Sequence, residues 1–286
     1  MAVGQVQGTG NRDGGKRRLI LHVGVQKTGS TAIQRHLRRN ADLLAERLVV
    51  RTPEEGTPMR PLGRAAVAYS LAPGDAGEEA LRSAFQDMLD GLPANGLPVL
   101  LSHENLAGAM PGNDGETGLY PALPAIAALL ADMARGFDVE FVFYSRRMAD
   151  WKPSVWAQAV RTDGYTRSLV DFQAETAAMP GWGDLLRRLA GAVGTGRVTR
   201  LRLEAEDDAT RPGCQLLRHA GLTDAAIDAL RPLDGASMPR LNGGATEFLR
   251  RLNGLALNPH ARGKVADLVA RTQYLFTADA PSEGTL

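Results

Sequence analysis

The chain predicts a three-layer α/β fold with a central parallel sheet and a helical C-terminal part. Three observations carry that expectation. Short aliphatic runs recur that suit strands buried on both faces. Helix-period segments long enough for crossovers lie between them. From about residue 212 onward the pattern is helical throughout (CQLLRHAGL, AAIDAL, TEFLRRLNGLAL).

The elements follow in order. Residues 1–17 are rich in Gly, Asn and charge and read as a flexible tail, leaving 18–286 as a single domain. RLILHVGV, residues 18–25, is the first strand. After Gly29 the period changes: Ile33 and Leu37 share a helix face while Arg35, Arg38 and Arg39 point away. A second strand lies in GLPVLLSHENL (96–106), a third at Val139 to Tyr144, and a fourth in RVTRLRLEA (197–205). Segments 78–90 and 122–135 are the intervening helices. AGAMPGNDGETGLY, residues 108–121, reads as a long loop able to act as a lid, and 52–77 as a second loop.

Composition excludes several classes. A net charge of +1 gives no general attraction for nucleic acid or membrane surfaces, so any anion site must be local. One cysteine, Cys214, forms no internal disulfide framework and suits a reducing, cytoplasmic compartment. No apolar run approaches the roughly 18 residues of a membrane span. The N-terminus lacks the apolar stretch of a signal peptide. His22, His36, His103, His219 and His260 show no metal-binding spacing, so no metal is expected.

The stretch HVGVQKTGSTAIQ (22–34) holds the chemistry. A strand feeding a glycine loop and then a helix aims backbone N–H groups and a positive helix end at an anion. Gly24 and Gly29 keep the spacing of the nucleotide-triphosphatase loop GxxxxGK[ST], but Ser30 stands where its lysine belongs, and the cation has moved to Lys27. VQKTGST resembles the phosphosulfate loop of sulfotransferases that use 3′-phosphoadenosine 5′-phosphosulfate (PAPS), through Lys27, Thr28, Gly29, Ser30 and Thr31. A second motif of that family is similar to FVFYSRRMADWKPSVW: Arg146 at a strand end and Ser154 eight residues later. The resemblance covers most of residues 18–255 and implies a P-loop nucleotide-binding-like fold and sulfuryl transfer from PAPS to a hydroxyl acceptor, a saccharide or small alcohol. It further implies that the loop holds the 5′-phosphosulfate, that Lys27 contacts the bridging oxygen, and that Arg146 and Ser154 seat the 3′-phosphate. Ser154 is expected at a helix start beside Pro153; Arg147, seven residues from Ser154, is the neighbouring alternative. The chain departs from the family in lacking an RKG-type segment, for which ARGK (261–264) substitutes poorly. Trp151, Trp156 and Trp182 are candidates for stacking on adenine.

Attack by an alcohol benefits from a general base. SHEN (102–105) ends the second strand, where ligands of open parallel sheets bind. His103 falls where cytosolic members of the family carry a catalytic histidine, and Glu104 resembles the carboxylate base of carbohydrate and tyrosyl members. Both stay open, Glu104 ranked slightly first. His22, inside a strand, is expected to be structural. Two other functions remain: a nucleotide kinase or triphosphatase, which would need a lysine after Gly29 and an acidic strand end for magnesium, and a non-catalytic nucleotide-binding module.

Overall fold

The computed structural model describes residues 15–235, 241–256 and 258–277. The strands are β1 (Arg17–His22), β2 (Val49–Arg51), β3 (Val99–Ser102), β4 (Phe137–Ser145) and β5 (Val198–Arg202). They form one parallel sheet in the order β2-β3-β1-β4-β5. Among the described residues the helices are α1 (Ser30–Arg39), α2 (Ala41–Leu44), α3 (Met59–Leu71), α4 (Asp75–Asp90), α5 (Leu123–Met133), α6 (Met148–Gln158), α7 (Leu169–Glu175), α8 (Trp182–Val193), α9 (Cys214–His219), α10 (Asp224–Asp228), α11 (Gly243–Asn253) and α12 (Pro259–Arg271).

The strand sequences explain the three layers. Side chains alternate across a strand, and in β1 Leu19 and Leu21 enter one core while Ile20 enters the other. β4 repeats this, with Phe141 and Phe143 on the first side and Val142 and Tyr144 on the second. The first core is closed by α3, α4, α5 and α8, the second by α1, α2, α9 and α10. Each fully buried aliphatic side chain contributes about 1.5–3 kcal/mol, and the central strands carry the most. β5 lies at the sheet edge, where Arg200 and Arg202 discourage pairing with another strand. A third, smaller core joins Ala245 and Leu249 of α11 and Ala266 and Val269 of α12 to Val160.

Several expectations are corrected. The sheet has a fifth strand, β2, whose three residues are too few to give a periodic signal. The first strand ends at His22 because Gly24 and Val25 take positive φ (69° and 48°), which ends the extended run. The fourth ends at Arg202, where Leu203–Ala205 tighten into a 3₁₀ turn. The tail reading of 1–17 falls largely on residues 1–14, outside the described residues, while Arg17 already pairs with Phe137 in the sheet. Residues 52–77 are mainly helical, through α3. The 108–121 segment is a loop, but a packed one: Met110, Leu119 and Tyr120 are buried in the first core.

Candidate functional site

Residues 23–29, between β1 and α1, form a strained turn. Positive φ recurs at Gly24, Val25, Lys27 and Gly29. For a β-branched valine this is a genuine outlier, and such strain persists only where the surroundings over-determine it. Here they do. Thr28 donates its hydroxyl to the carbonyls of Gly24 (3.0 Å) and Val25 (2.6 Å). Trp151 Nε1 donates to the Gln26 carbonyl at 2.9 Å, and Gln26 Nε2 donates to Gly108 at 3.1 Å. Arg146 reaches the Lys27 carbonyl at 3.5 Å. A Cβ on Gly24 would lie 2.2 Å from the Glu104 Cα, so this close approach requires glycine. Turns that mix left- and right-handed residues gather backbone N–H groups into anion-binding concavities. Gly29 is also the N-cap of α1, which has no side-chain cap and no acid in its first turn. The positive end of that ten-residue helix is left for a ligand.

The turn opens into a cleft of about 1030 Å³. The β1–α1 side supplies Gln26, Lys27, Gly29, Ser30, Thr31 and Ala32, and the end of β3 supplies Glu104 and Asn105. Arg146, Ser154, Gln158, Thr162 and Asp163 line it from β4 and the helix beyond. Arg64, Val67, Ala68 and Leu71 of α3 face Ala109, Met110 and Asn113 across the remaining stretch, and Leu203 touches the loop end. Seven residues singled out in the sequence therefore share one cleft: Lys27, Gly29, Ser30, Thr31, Glu104, Arg146 and Ser154.

Two do not line it. Thr28 is fully buried with its hydroxyl turned into the loop, so its side chain braces the turn. His103 is buried, and its ring packs on α3, where a Cβ on Gly63 would lie 1.9 Å from Nε2. Its Nδ1 accepts from the Asn105 amide at 3.3 Å, capping the 3₁₀ turn that follows. Glu104 is the group of that pair that reaches the cleft. Burial raises its carboxyl, but His103 beside it and the Gln34 amide outweigh burial and hold it at about 2. The Gln34 bond is direct, at 2.7 Å, whereas His103 Nδ1 stands 3.7 Å from the carboxylate. Glu104 is thus an ionised acceptor across the neutral range. His22 is structural: its Nδ1 meets Ser102 Oγ at 2.8 Å, and burial pulls it down to about 4 against the opposing pull of Glu104.

The Arg146 and Ser154 region differs from expectation in its helix. α6 begins at Met148 with Arg147 as N-cap, so Ser154 sits in the second turn and Pro153 lies inside the helix. Ser154 therefore offers its hydroxyl without a helix terminus behind it. Proline there removes an intrahelical bond, and a π-helical turn, Ala159–Asp163, follows directly. Such turns collect at functional sites. Arg147 points outward, its side chain 73% exposed and paired with Asp150. None of the three tryptophans lines the cleft, and Trp151 and Trp182 are buried against each other at 4.9 Å between centroids. Trp182 Nε1 holds the Arg146 carbonyl at 2.6 Å, and Trp156 Nε1 holds that of Arg167 at 3.1 Å. Trp151 and Trp182 are struts for the loop and for Arg146.

Sequence reasoning missed Gln158, which accepts from Lys27 Nζ at 3.2 Å and donates to Thr162 at 3.3 Å. Its position four residues after Ser154, on the same helix face, was the available signal. It also missed Gln34, four residues after Ser30, and Arg64, which no local pattern marks. Cys214, buried beneath the Arg211 carbonyl, has its thiol pushed up to about 11, first by burial and then by Glu206, as suits an inert core group.

Among the described residues no three His, Cys, Asp or Glu side chains cluster as a metal site, and no helix is long and apolar enough to cross a membrane. No protein-family model matches the chain, and no curated protein matches it. Among solved structures it is similar to the crystal structure of a sulfotransferase from Alicyclobacillus acidocaldarius. That similarity has a TM-score of 0.45 and 14% identity over 91% of this chain and 93% of the other. At that level it assigns neither substrate nor residue roles.

Proposed function

We propose that residues 18–286 act as one domain that transfers a sulfuryl group from PAPS to a hydroxyl acceptor. The observation that carries this reading is the meeting of Lys27, Glu104, Arg146 and Ser154 in one cleft with the strained anion turn. PAPS presents two phosphate-like ends, and the cleft has a fitting group for each. The 23–31 turn and the α1 terminus suit the 5′-phosphosulfate. Arg146, its backbone held by Trp182, suits the 3′-phosphate through charge-assisted hydrogen bonds, with Ser154 adding a hydroxyl donor. When bound, the donor supplies the sulfuryl group and a stable nucleotide leaving group.

This chain's residues then have separate tasks. Lys27 places its ammonium where negative charge develops on the bridging oxygen, an interaction stronger in the transition state than in the ground state. Gln158 holds that ammonium before the ligand arrives. Glu104 accepts the acceptor's hydroxyl proton, and Gln34 fixes its carboxylate on the other side.

Binding tests this directly. The protein is expected to retain 3′-phosphoadenosine 5′-phosphate (PAP) without magnesium and to bind it far better than AMP. The kinase reading has one observation in its favour: Glu104, ionised at a strand end, is a carboxylate of the kind that holds magnesium near a nucleotide. Preference for ATP with magnesium over PAP would establish that reading instead.

A further inference from the structure

The cleft has a second half, lined by α3 and lying apart from the 23–31 turn and Arg146 in the proposed reading. Arg64, Val67, Ala68 and Leu71 follow the spacing i, i+3, i+4, i+7 and make one face of α3. That face runs about 10 Å along the cleft, at 1.5 Å per residue. Met110 stands opposite. The inner face of α3 is locked by Gly63 on the His103 ring, and Ser70 Oγ accepts from the Ala109 amide at 2.7 Å. The wall is therefore fixed beside Glu104.

Its chemistry is one cation and a row of carbon. α3 contains no acidic residue, and Arg64 makes no ion pair or hydrogen bond among the described residues. Of the two acids that line the cleft among the described residues, Glu104 is held by Gln34 and His103, and Asp163 lies in the π-helical turn beyond α6, its Oδ2 buried without a hydrogen-bond partner and its carboxyl pushed up by burial. Among the described residues no aromatic ring lines the cleft. A neutral sugar on this wall would set most of its hydroxyls against aliphatic carbon, leaving them unsatisfied.

We infer that the acceptor is an amphiphilic hydroxycarboxylate, its anionic group bound by Arg64 and its apolar body laid along Val67, Ala68, Leu71 and Met110. This acceptor class rests on the transferase reading above; the anion subsite at Arg64 does not. In the transfer, the acceptor oxygen forms its bond to sulfur as the bond from sulfur to the nucleotide's 5′-phosphate oxygen breaks. Glu104 takes the hydroxyl proton, and PAP leaves with the electron pair of the broken bond.

The test is calorimetric binding of two probes, para-hydroxyphenylacetate and ω-hydroxyoctanoate, each beside its neutral carboxamide. N-acetylglucosamine is the saccharide comparison. Each is titrated into the wild type, Arg64→Ala and Arg64→Lys, with and without saturating PAP. Arg64 is solvent-exposed on a helix, where alanine is well tolerated. At least one carboxylate is expected to bind about ten- to a hundredfold more tightly than its carboxamide, the scale of a hydrogen bond to a charged group. Arg64→Ala removes that preference and Arg64→Lys keeps part of it. An Arg64-dependent preference in a protein that does not bind PAP retains the subsite and sinks the transferase reading. PAP binding with no carboxylate preference, with a preference unchanged in Arg64→Ala, with no binding of any hydroxycarboxylate, or with the saccharide bound best overturns this inference and leaves the transferase reading standing.

Discussion

The two halves of the cleft are built by different means. The half proposed for the nucleotide comes from contiguous stretches, 22–34 and 144–158, in which strand, turn and helix follow each other directly. The half proposed for the acceptor is assembled from α3 and the 104–113 segment, which meet through Gly63 on His103 and Ser70 on Ala109. The first half is polar and charged, and its backbone is strained. The second sets one cation, Arg64, and the aliphatic face of α3 against a loop that carries Met110 and Asn113. A motif can specify charge placement over a few residues, whereas a specificity wall depends on which surfaces the fold happens to appose.

Substitutions sharpen that contrast. The largest effect is expected in the nucleotide half. Lys27→Ala is expected to lower kcat by about 10²–10³-fold, the scale for losing one preorganised electrostatic donor. PAP affinity is expected to fall far less. Equal losses in rate and affinity would make Lys27 a simple phosphate anchor and erase its distinction from Arg146.

Glu104 lies on the seam between the halves. Glu104→Gln keeps shape and hydrogen-bond capacity but removes basicity. It is expected to cost about 10²-fold in kcat, the low end for a general base, because a carboxylate held at about 2 is a weak one. Its titration lies near pH 2, so it contributes no acid limb to kcat/KM between pH 5 and 9. That pH range is the window of measurement, chosen well above the value of about 2. His103→Ala is expected to reduce stability through the α3 contact and to leave the pH profile unchanged. A dead His103→Ala beside an active Glu104→Gln would exchange their roles.

Arg146→Ala is expected to remove most of the preference for PAP over AMP, a loss of about 1.5–3 kcal/mol. AMP affinity is expected to change little, since the 5′-phosphate still rests on the turn. Arg147→Ala is the control, because that side chain is exposed and paired with Asp150. Titration of both nucleotides into the three proteins measures this, and a loss of AMP binding in Arg146→Ala would show that Arg146 acts by holding the turn.

The smallest expected effect is on stability, and it concerns the floor shared by both halves. His22 ionises only near 4 in the folded chain, against an ordinary value of 6.5. Its folded value is depressed, so stability is complete above 6.5 and declines as pH falls toward 4. At pH 5 the loss is about 2 kcal/mol. Glu104 adds a further decline between 4.5 and about 2, since its value is also depressed. Urea unfolding at pH 7 and pH 5 measures the first step. His22→Asn is expected to flatten it, and an unchanged slope would remove His22 from the account.

The sequence by itself determined the three-layer order and the strand–turn–helix unit, and it marked Lys27, Arg146, Ser154 and the pair His103 and Glu104 as candidates. Each is a short-range property: a run of aliphatic residues, a glycine at a required φ, a charged residue at a strand end. Only the tertiary structure decided which side chains face the cleft. Thr28 and Ser30 are near neighbours of similar chemistry whose hydroxyls both reach the Gly24 carbonyl, at 3.0 and 3.4 Å, yet only Ser30 also lines the cleft. His103 and Glu104 are adjacent, and a glycine forty residues earlier, Gly63, draws His103 into the core and leaves Glu104 exposed to the site. Trp151 and Trp182, candidate base platforms in the sequence, became struts because their indole N–H groups, once buried, had to find the carbonyls of Gln26 and Arg146. Side-chain direction at the site is set by distant packing partners and by the need to satisfy every buried polar group. Neither is written in any local stretch of the chain.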